Sequence, residues 1–221
     1  MDDFELLIDL HRHAGRQGPG GEAETRLAVT LSGLAADRGL RIADVGCGSG
    51  AATRVLARAL DAQVTAVDLV PAFLADLDAA AEAKELNDRI ETLVASMAEL
   101  PFEAEAFDAI WSEGAIYNIG FEHGIRAWRR FLKPGGVLAV SELTWFTRTR
   151  PAELENHWRR EYPEVDTAAA KLAQLELQGY TPIGYFPLPA RCWLDNFYRP
   201  LEAGFAGFVA RHDDAAEARA V

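Results

Sequence analysis

Strand-length apolar blocks alternate with helix-length segments through most of this chain. The blocks fall at residues 41–45, 63–68, 89–95, 107–112 and 137–142. Between them, Val55, Leu56 and Leu60 recur at helical spacing. So do Phe73, Leu74, Leu77, Ala80 and Ala81, and later Ile125, Trp128, Phe131 and Leu132. That period places one apolar face of each helix inward. Pro71 suits a first helical turn, where its missing N–H costs nothing. Regular alternation of strands and helices predicts an α/β fold, a mostly parallel doubly wound sheet with helices on both faces.

The flanks read differently. Phe4, Leu6, Leu7, Ile8 and Leu10 predict a helix over 4–14 that stops at Gly15. A loop follows over 16–21, then a second helix from Glu22 to about Asp37, closed by Gly39. Residues 150–180 read as helical, ending at Gly179. Residues 181–189 read as a sixth strand, and Leu201, Phe205, Phe208 and Val209 return to helical spacing. The expected sheet therefore has six or seven strands, with the last strand the least marked.

The length of 221 residues suits one domain with a sizeable core. Lys and Arg number 22 against 34 Asp and Glu, a formal net charge of −12 that repels a phosphate backbone, so no nucleic-acid partner is expected. Two cysteines, Cys47 and Cys192, make no disulfide framework and point to a reduced, cytoplasmic setting. The acidic start Met1-Asp2-Asp3 lacks the charged and apolar regions of a signal peptide. No apolar run approaches the roughly 18 residues that span a bilayer, and no membrane partner is expected.

The segment Asp44-Val45-Gly46-Cys47-Gly48-Ser49-Gly50 carries the strongest chemical signal. A strand turning sharply into a helix needs residues that tolerate positive φ, with backbone bare enough for a ligand to approach. The helix start adds unpaired N–H groups that can face a phosphate or a carboxylate. Asp68 ends the next strand, where a carboxylate can accept hydrogen bonds from two ribose hydroxyls. Two nucleotide classes fit. Gly46, Gly48 and Ala51 satisfy a dinucleotide pattern, which would make an NAD(P)-dependent oxidoreductase. Asp44 favours the other class, because a carboxylate there suits an ammonium group better than a pyrophosphate; Gly50 and the lack of a second mononucleotide-binding half point the same way. A binder without catalysis is a third reading.

These residues resemble the class I methyltransferases that use S-adenosylmethionine. The resemblance covers about residues 40–145. Residues 44–50 look like the family's first motif and Val67-Asp68 its second. Residues 96–102, Ser-Met-Ala-Glu-Leu-Pro-Phe, resemble the adenine-side loop, with Ser96 where many members have aspartate. Residues 107–112 look like the fourth strand and 131–138 like the turn before the fifth. The stretch 112–119 resembles the small-molecule branch, near the phosphoethanolamine and glycine methyltransferases, with Asn118 where histidine is common. The resemblance implies a Rossmann-like sheet whose last strand is antiparallel, and in-line methyl transfer to a small molecule with S-adenosylhomocysteine as product. It implies cofactor contacts from Asp44, Gly46, Cys47, Gly48, Gly50, Asp68, Leu69, Ser96, Met97, Ala98 and Ser112. It divides the chain into a helical lid (1–38), a cofactor-binding core (40–145) and a substrate-side cover with C-terminal elements (146–221).

Methyl transfer from a sulfonium needs alignment, exclusion of water and an unprotonated nucleophile, but no acid for the leaving group. Glu113, just past the fourth strand, is the candidate catalytic base or amine-holding group. Glu142, at the end of the fifth, shares that logic as a substrate contact. Tyr117 and Trp145 are candidate pocket walls, Trp145 together with Phe146. His11, His13 and Arg16 lie on the lid side, and Trp193, Asn196 and Tyr198 form a candidate cover. No metal-ligand spacing is evident, and no metal is expected. Exposed aromatics over 145–200 leave room for a homodimer.

Overall fold

The computed structural model describes residues 3–12, 14–36, 39–213 and 215–220. Five parallel strands form one sheet: β1 (Arg41–Val45), β2 (Gln63–Asp68), β3 (Ile90–Val94), β4 (Phe107–Ser112) and β5 (Leu132–Val140), in the order β3-β2-β1-β4-β5. The order reverses at β1, so the crevice between the C-terminal ends of β1 and β4 is the natural ligand position of such a sheet. Before β1 come α1 (Asp3–Arg12) and α2 (Glu22–Ser32); α3 (Ala51–Leu60), α4 (Pro71–Glu82) and α5 (Phe121–Trp128) connect the strands.

Strand β1 is buried on both faces, as a central parallel strand must be. Ile42 packs with Leu56, Leu60, Val64, Leu77 and Trp111 on one side of the sheet. Ala43 and Val45 face the other way, toward Ile110, Phe121, Ile125, Trp128 and Phe131. A third, smaller cluster of Leu6, Phe208, Val209 and Ala218 ties α1 to α9 (Arg199–Arg211) and α10 (Ala216–Ala220).

Several boundaries differ from expectation. Helix α2 ends at Ser32, because Gly33 turns left-handed at φ 69° and its N–H bonds Thr30 O. Residues 133–136, expected as a turn before the fifth strand, form a bulge inside β5: Phe107 pairs with Leu132 and Ala109 with Val137. Lys133 closes the bulge on Asp108 Oδ2 at 2.8 Å. The 150–180 segment is two helices, α6 (Ala152–Glu161) and α7 (Ala168–Leu177), separated by the two-residue strand β7 (Asp166–Thr167), which pairs with β6 (Thr144–Trp145) outside the main sheet.

The sixth strand over 181–189 is not formed. The segment is irregular and pairs with no strand, and the main sheet has five strands among the described residues. Pro182, Pro187 and Pro189 remove three ladder donors. A cleft of about 1040 Å³ also separates the segment from the outer edge of β5, lined by residues of 132–144 on one side and 179–188 on the other. Helix α8 (Ala190–Trp193) and one π-helical turn (Leu194–Tyr198) then lead into α9. No described helix is long and apolar enough to cross a membrane.

Candidate cofactor and acceptor site

The glycine turn joins β1 to α3. Gly46, Gly48 and Gly50 all have positive φ, at 74°, 55° and 74°. A methyl group on Gly46 would run into the Ala115 side chain and Met97 Cε; one on Gly48 would meet Gln17 Oε1. The turn's amides are already engaged. Gly46 and Cys47 donate to Val67 O, and Gly50 to Cys47 O. Gly48 donates to Asp68 Oδ2 at 2.8 Å, and Ser49 to Gln17 Oε1 at 2.8 Å. Within the turn itself the amides of residues 46–50 are therefore all engaged, with Gln17 Oε1 standing on Ser49 just before α3, while its own amide donates to His11 O and Ala14 O.

Asp44 is buried beneath the turn and accepts from Thr53 Oγ1 at 2.6 Å. Burial pushes its pKa up to about 7 against the Thr53 bond, and Glu113 and Asp68 push the same way, opposed by Arg16. Asp68 accepts from Gly48 and from Val70, one N–H on each oxygen. Each oxygen keeps a lone pair for a further donor. Burial raises its pKa against those backbone bonds. Burial, Asp44 and Asp68 hold the Cys47 thiol well above its usual value, in the protonated form. Leu69 is 59% exposed beside Asp68.

On the opposite wall, Ser96 accepts from Ala98 N and Met97 O accepts from Trp128 Nε1, which fixes the 96–98 loop above α5. Ser112 is buried, and its hydroxyl has no partner. Glu113 is fully engaged: Oε2 accepts from Arg16 at 2.6 Å, and Oε1 from Thr25 Oγ1 at 2.7 Å and Trp111 Nε1 at 2.9 Å. These donors come from the loop after α1, from α2 and from β4. The same loop is held from the C-terminal side, where Asn196 Nδ2 donates to Gly20 O, Gly20 N to Cys192 O, and Arg191 pairs with Glu24.

Tyr117 sits on the 3-10 turn after β4, half-exposed, with its ring edge-on to Tyr162 at 6.0 Å. Glu142 lies beyond β5, beside Lys171 of α7. Trp145 lies on β6 under the Arg150 guanidinium, 4.4 Å from its ring centroid, and Phe146 is exposed. His11 stacks on Phe197, and burial lowers its pKa; His13 lies outside the described residues. Trp193 packs against Tyr198. Gln17, Thr25, Thr53, Tyr162 and Lys171 were missed by sequence reasoning. Only Gln17, next to Arg16 in the lid loop, carried any local signal.

A parallel sheet reversing at β1, with a glycine turn there and an acid at the end of β2, defines a Rossmann-like nucleotide-binding domain of the methyltransferase type. Residues 43–140, the core of the sheet with its connecting helices, match the family model described as "Methyltransferase domain". The chain is 32% identical over 123 residues to the 27-O-demethylrifamycin SV methyltransferase of Amycolatopsis mediterranei, covering 55% of this chain and 45% of that protein. It is 29% identical over 216 residues to the ubiquinone biosynthesis O-methyltransferase of Xanthomonas campestris pv. campestris, covering 89% and 88%. Among solved structures, an S-adenosylmethionine-dependent methyltransferase from Geobacter sulfurreducens in complex with S-adenosyl-L-homocysteine superposes with a TM-score of 0.80 at 20% identity, covering 98% of this chain and 85% of that one. The chain spans about half the length of several curated relatives it matches.

Proposed function

We propose that this chain binds S-adenosylmethionine at the glycine turn and transfers its methyl group to a small-molecule acceptor. The convergence of Asp44 and Asp68 on that turn carries the reading. Asp68 offers a lone pair on each oxygen to the two ribose hydroxyls. Asp44, buried with one hydrogen bond, supplies the negative charge that an amino-acid ammonium needs. A pyrophosphate would have to displace Asp68 from the Gly48 amide and Gln17 from the Ser49 amide, and would meet the buried Asp44 carboxylate beneath the turn. Met97 and Ser96 line the adenine side, with Cys47, Leu69, Ala98 and Ser112 around the cofactor. The similarity to a rifamycin methyltransferase, to a ubiquinone biosynthesis O-methyltransferase and to a methyltransferase solved with S-adenosyl-L-homocysteine supports the same cofactor and acceptor class.

Glu113 acts in this reading as a positioning residue. Three donors hold its carboxylate, so it ties the segment 16–25 over the cofactor rather than collecting a proton. The lid, core and cover division of the chain rests on the same contacts. The net charge of −12 argues against a nucleic-acid acceptor, and two free cysteines suit a reducing cytoplasm. Calorimetric titration tests the function. S-adenosylhomocysteine is expected to bind and NADH to give no heat; NADH binding without S-adenosylhomocysteine binding overturns the reading.

A further inference from the structure

Outside the glycine turn, the most unusual chemistry in the molecule is a buried polar group of three residues from different segments. Glu142 lies past β5, Tyr162 ends α6, and Lys171 is on α7. The Glu142 side chain is 6% exposed and that of Lys171 4%, and Tyr162 is buried too. Lys171 Nζ stands 3.2 Å from Glu142 Oε1, 4.5 Å from the Phe121 ring centroid and 5.4 Å from that of Tyr162. Tyr162 and Lys171 act on the Glu142 carboxylate and the Phe121 backbone on the Tyr162 hydroxyl, but none of these contacts has the geometry of a full hydrogen bond, and neither Glu142 nor Lys171 has a hydrogen-bond partner outside the group among the described residues. A buried ion pair is stable only when further hydrogen bonds satisfy its remaining donors and acceptors. This one is left open, and Glu142, Lys171 and Phe121 lie on the wall of the cleft beside β5.

The group also adjoins the proposed cofactor site. Ala115 packs against Gly46 of the glycine turn. Tyr117, two residues on, packs against Tyr162. Gly114 N donates to Ser141 Oγ, next to Glu142.

We infer that Glu142, Lys171 and Tyr162 form the acceptor subsite, and that the group they hold is a hydroxyl. This rests on the methyltransferase reading above and specifies its substrate class. The charges of Glu142 and Lys171 cancel within the pair, with Glu164 acting on Glu142 and Tyr162 from outside it, so a charged acceptor group finds no free counter-ion in the subsite. The ligand atom must donate to Glu142 and accept from Lys171 or Tyr162. An ammonium cannot accept, a carboxylate cannot donate, a thiol does both weakly, and a neutral amine has one lone pair, which a bond from Lys171 or Tyr162 would withhold from the methyl group; a hydroxyl donates, accepts and keeps a second lone pair on the same oxygen. In the reaction the acceptor O–H proton passes to the Glu142 carboxylate. The oxygen bonds the sulfonium methyl carbon, and the carbon–sulfur bond breaks with its electron pair remaining on sulfur. The products are a methyl ether, S-adenosylhomocysteine and protonated Glu142. Glu142 is then a catalytic residue, and Lys171 and Tyr162 fix the acceptor oxygen.

The test uses three matched probes, phenol, aniline and thiophenol, with the methylated product and S-adenosylhomocysteine followed by mass spectrometry. Phenol is expected to be the one methylated and to bind the S-adenosylhomocysteine complex by calorimetry. Glu142→Gln should lower kcat on phenol by ~100-fold while leaving the S-adenosylhomocysteine affinity unchanged. Lys171→Met should raise KM for phenol by about tenfold, a loss of about 1.4 kcal/mol. Glu142→Asp keeps the anion, should restore part of kcat, and serves if Glu142→Gln fails to fold. A preference for aniline or thiophenol, no binding of phenol to the complex, or wild-type turnover in Glu142→Gln overturns the inference and leaves the cofactor reading standing. Failure of the wild type to bind S-adenosylhomocysteine overturns both.

Discussion

Gly46 and Gly33 share nearly the same backbone conformation, φ 74° and 69°, in very different surroundings. A methyl on Gly33 meets open space, whereas one on Gly46 meets Ala115 and Met97. Gly33→Ala should therefore cost only the left-handed penalty, about 1–2 kcal/mol. Gly46→Ala should cost more and abolish S-adenosylhomocysteine binding. Urea unfolding of both variants measures the difference; equal losses would mean that the Ala115 contact yields freely. Asp44 makes a pH prediction at the same scale. Its pKa rises from the usual 3.8 to about 7 on folding, so the folded state binds the proton more tightly. Its contribution to stability is complete below the unfolded pKa and is lost as pH rises through about 7. Denaturation midpoints at about pH 5 and about pH 8 should fall for the wild type. For Asp44→Asn the fall should be much smaller. A residual slope is expected from Asp68, whose pKa burial also raises.

Among the elements, the segment between α1 and α2 has almost no apolar content to hold it down, and polar contacts do so instead. Arg16 and Thr25 reach Glu113, Gln17 reaches Ser49, and Asn196 and Arg191 clamp the far side. The Arg16 and Glu113 side chains are 14% and 15% exposed, so Glu113→Ala would strand a mostly buried guanidinium, at a cost of about 3 kcal/mol. Arg16→Ala should cost less, since Thr25 and Trp111 still satisfy Glu113 Oε1. Hydrogen exchange over residues 15–25 should quicken in Glu113→Ala, along with dissociation of S-adenosylhomocysteine. Unchanged exchange there would show that the loop is held by its other contacts alone.

For the molecule as a whole, the sheet is asymmetric in its protection. β1 is paired on both sides and covered on both faces, while β5 is paired only to β4 and its other edge opens on the cleft. Backbone groups on an unpaired edge exchange with solvent and offer a template for another strand. Amides of β1 should be the slowest to exchange, with alternate amides of β5 among the fastest in the sheet. Uniform protection along β5 at low concentration would mean that its edge is covered in solution. Protection that grows with concentration, together with an earlier elution volume, would point to a homodimer through this edge.

Sequence alone determined the five parallel strands, the helices between them, the positive-φ turn at 46–50 and the acid after β2. These depend on local period, on the stereochemistry of glycine and on the order of strand and helix, all of which are written within a few residues. It also marked Glu142, without its partners. Tertiary structure alone decided the rest. Residues 181–189 have an extended, apolar pattern but no neighbour within pairing distance, so pattern became strand only where a partner strand was present. Glu113 looked free, because its three donors lie at 16, 25 and 111. The turn amides looked open, because Gln17 reaches them from another segment. Lys171 and Tyr162 carry no local mark of chemistry. They meet Glu142 because α6 and α7 fold back over the end of the sheet, and no spacing along the chain records that approach.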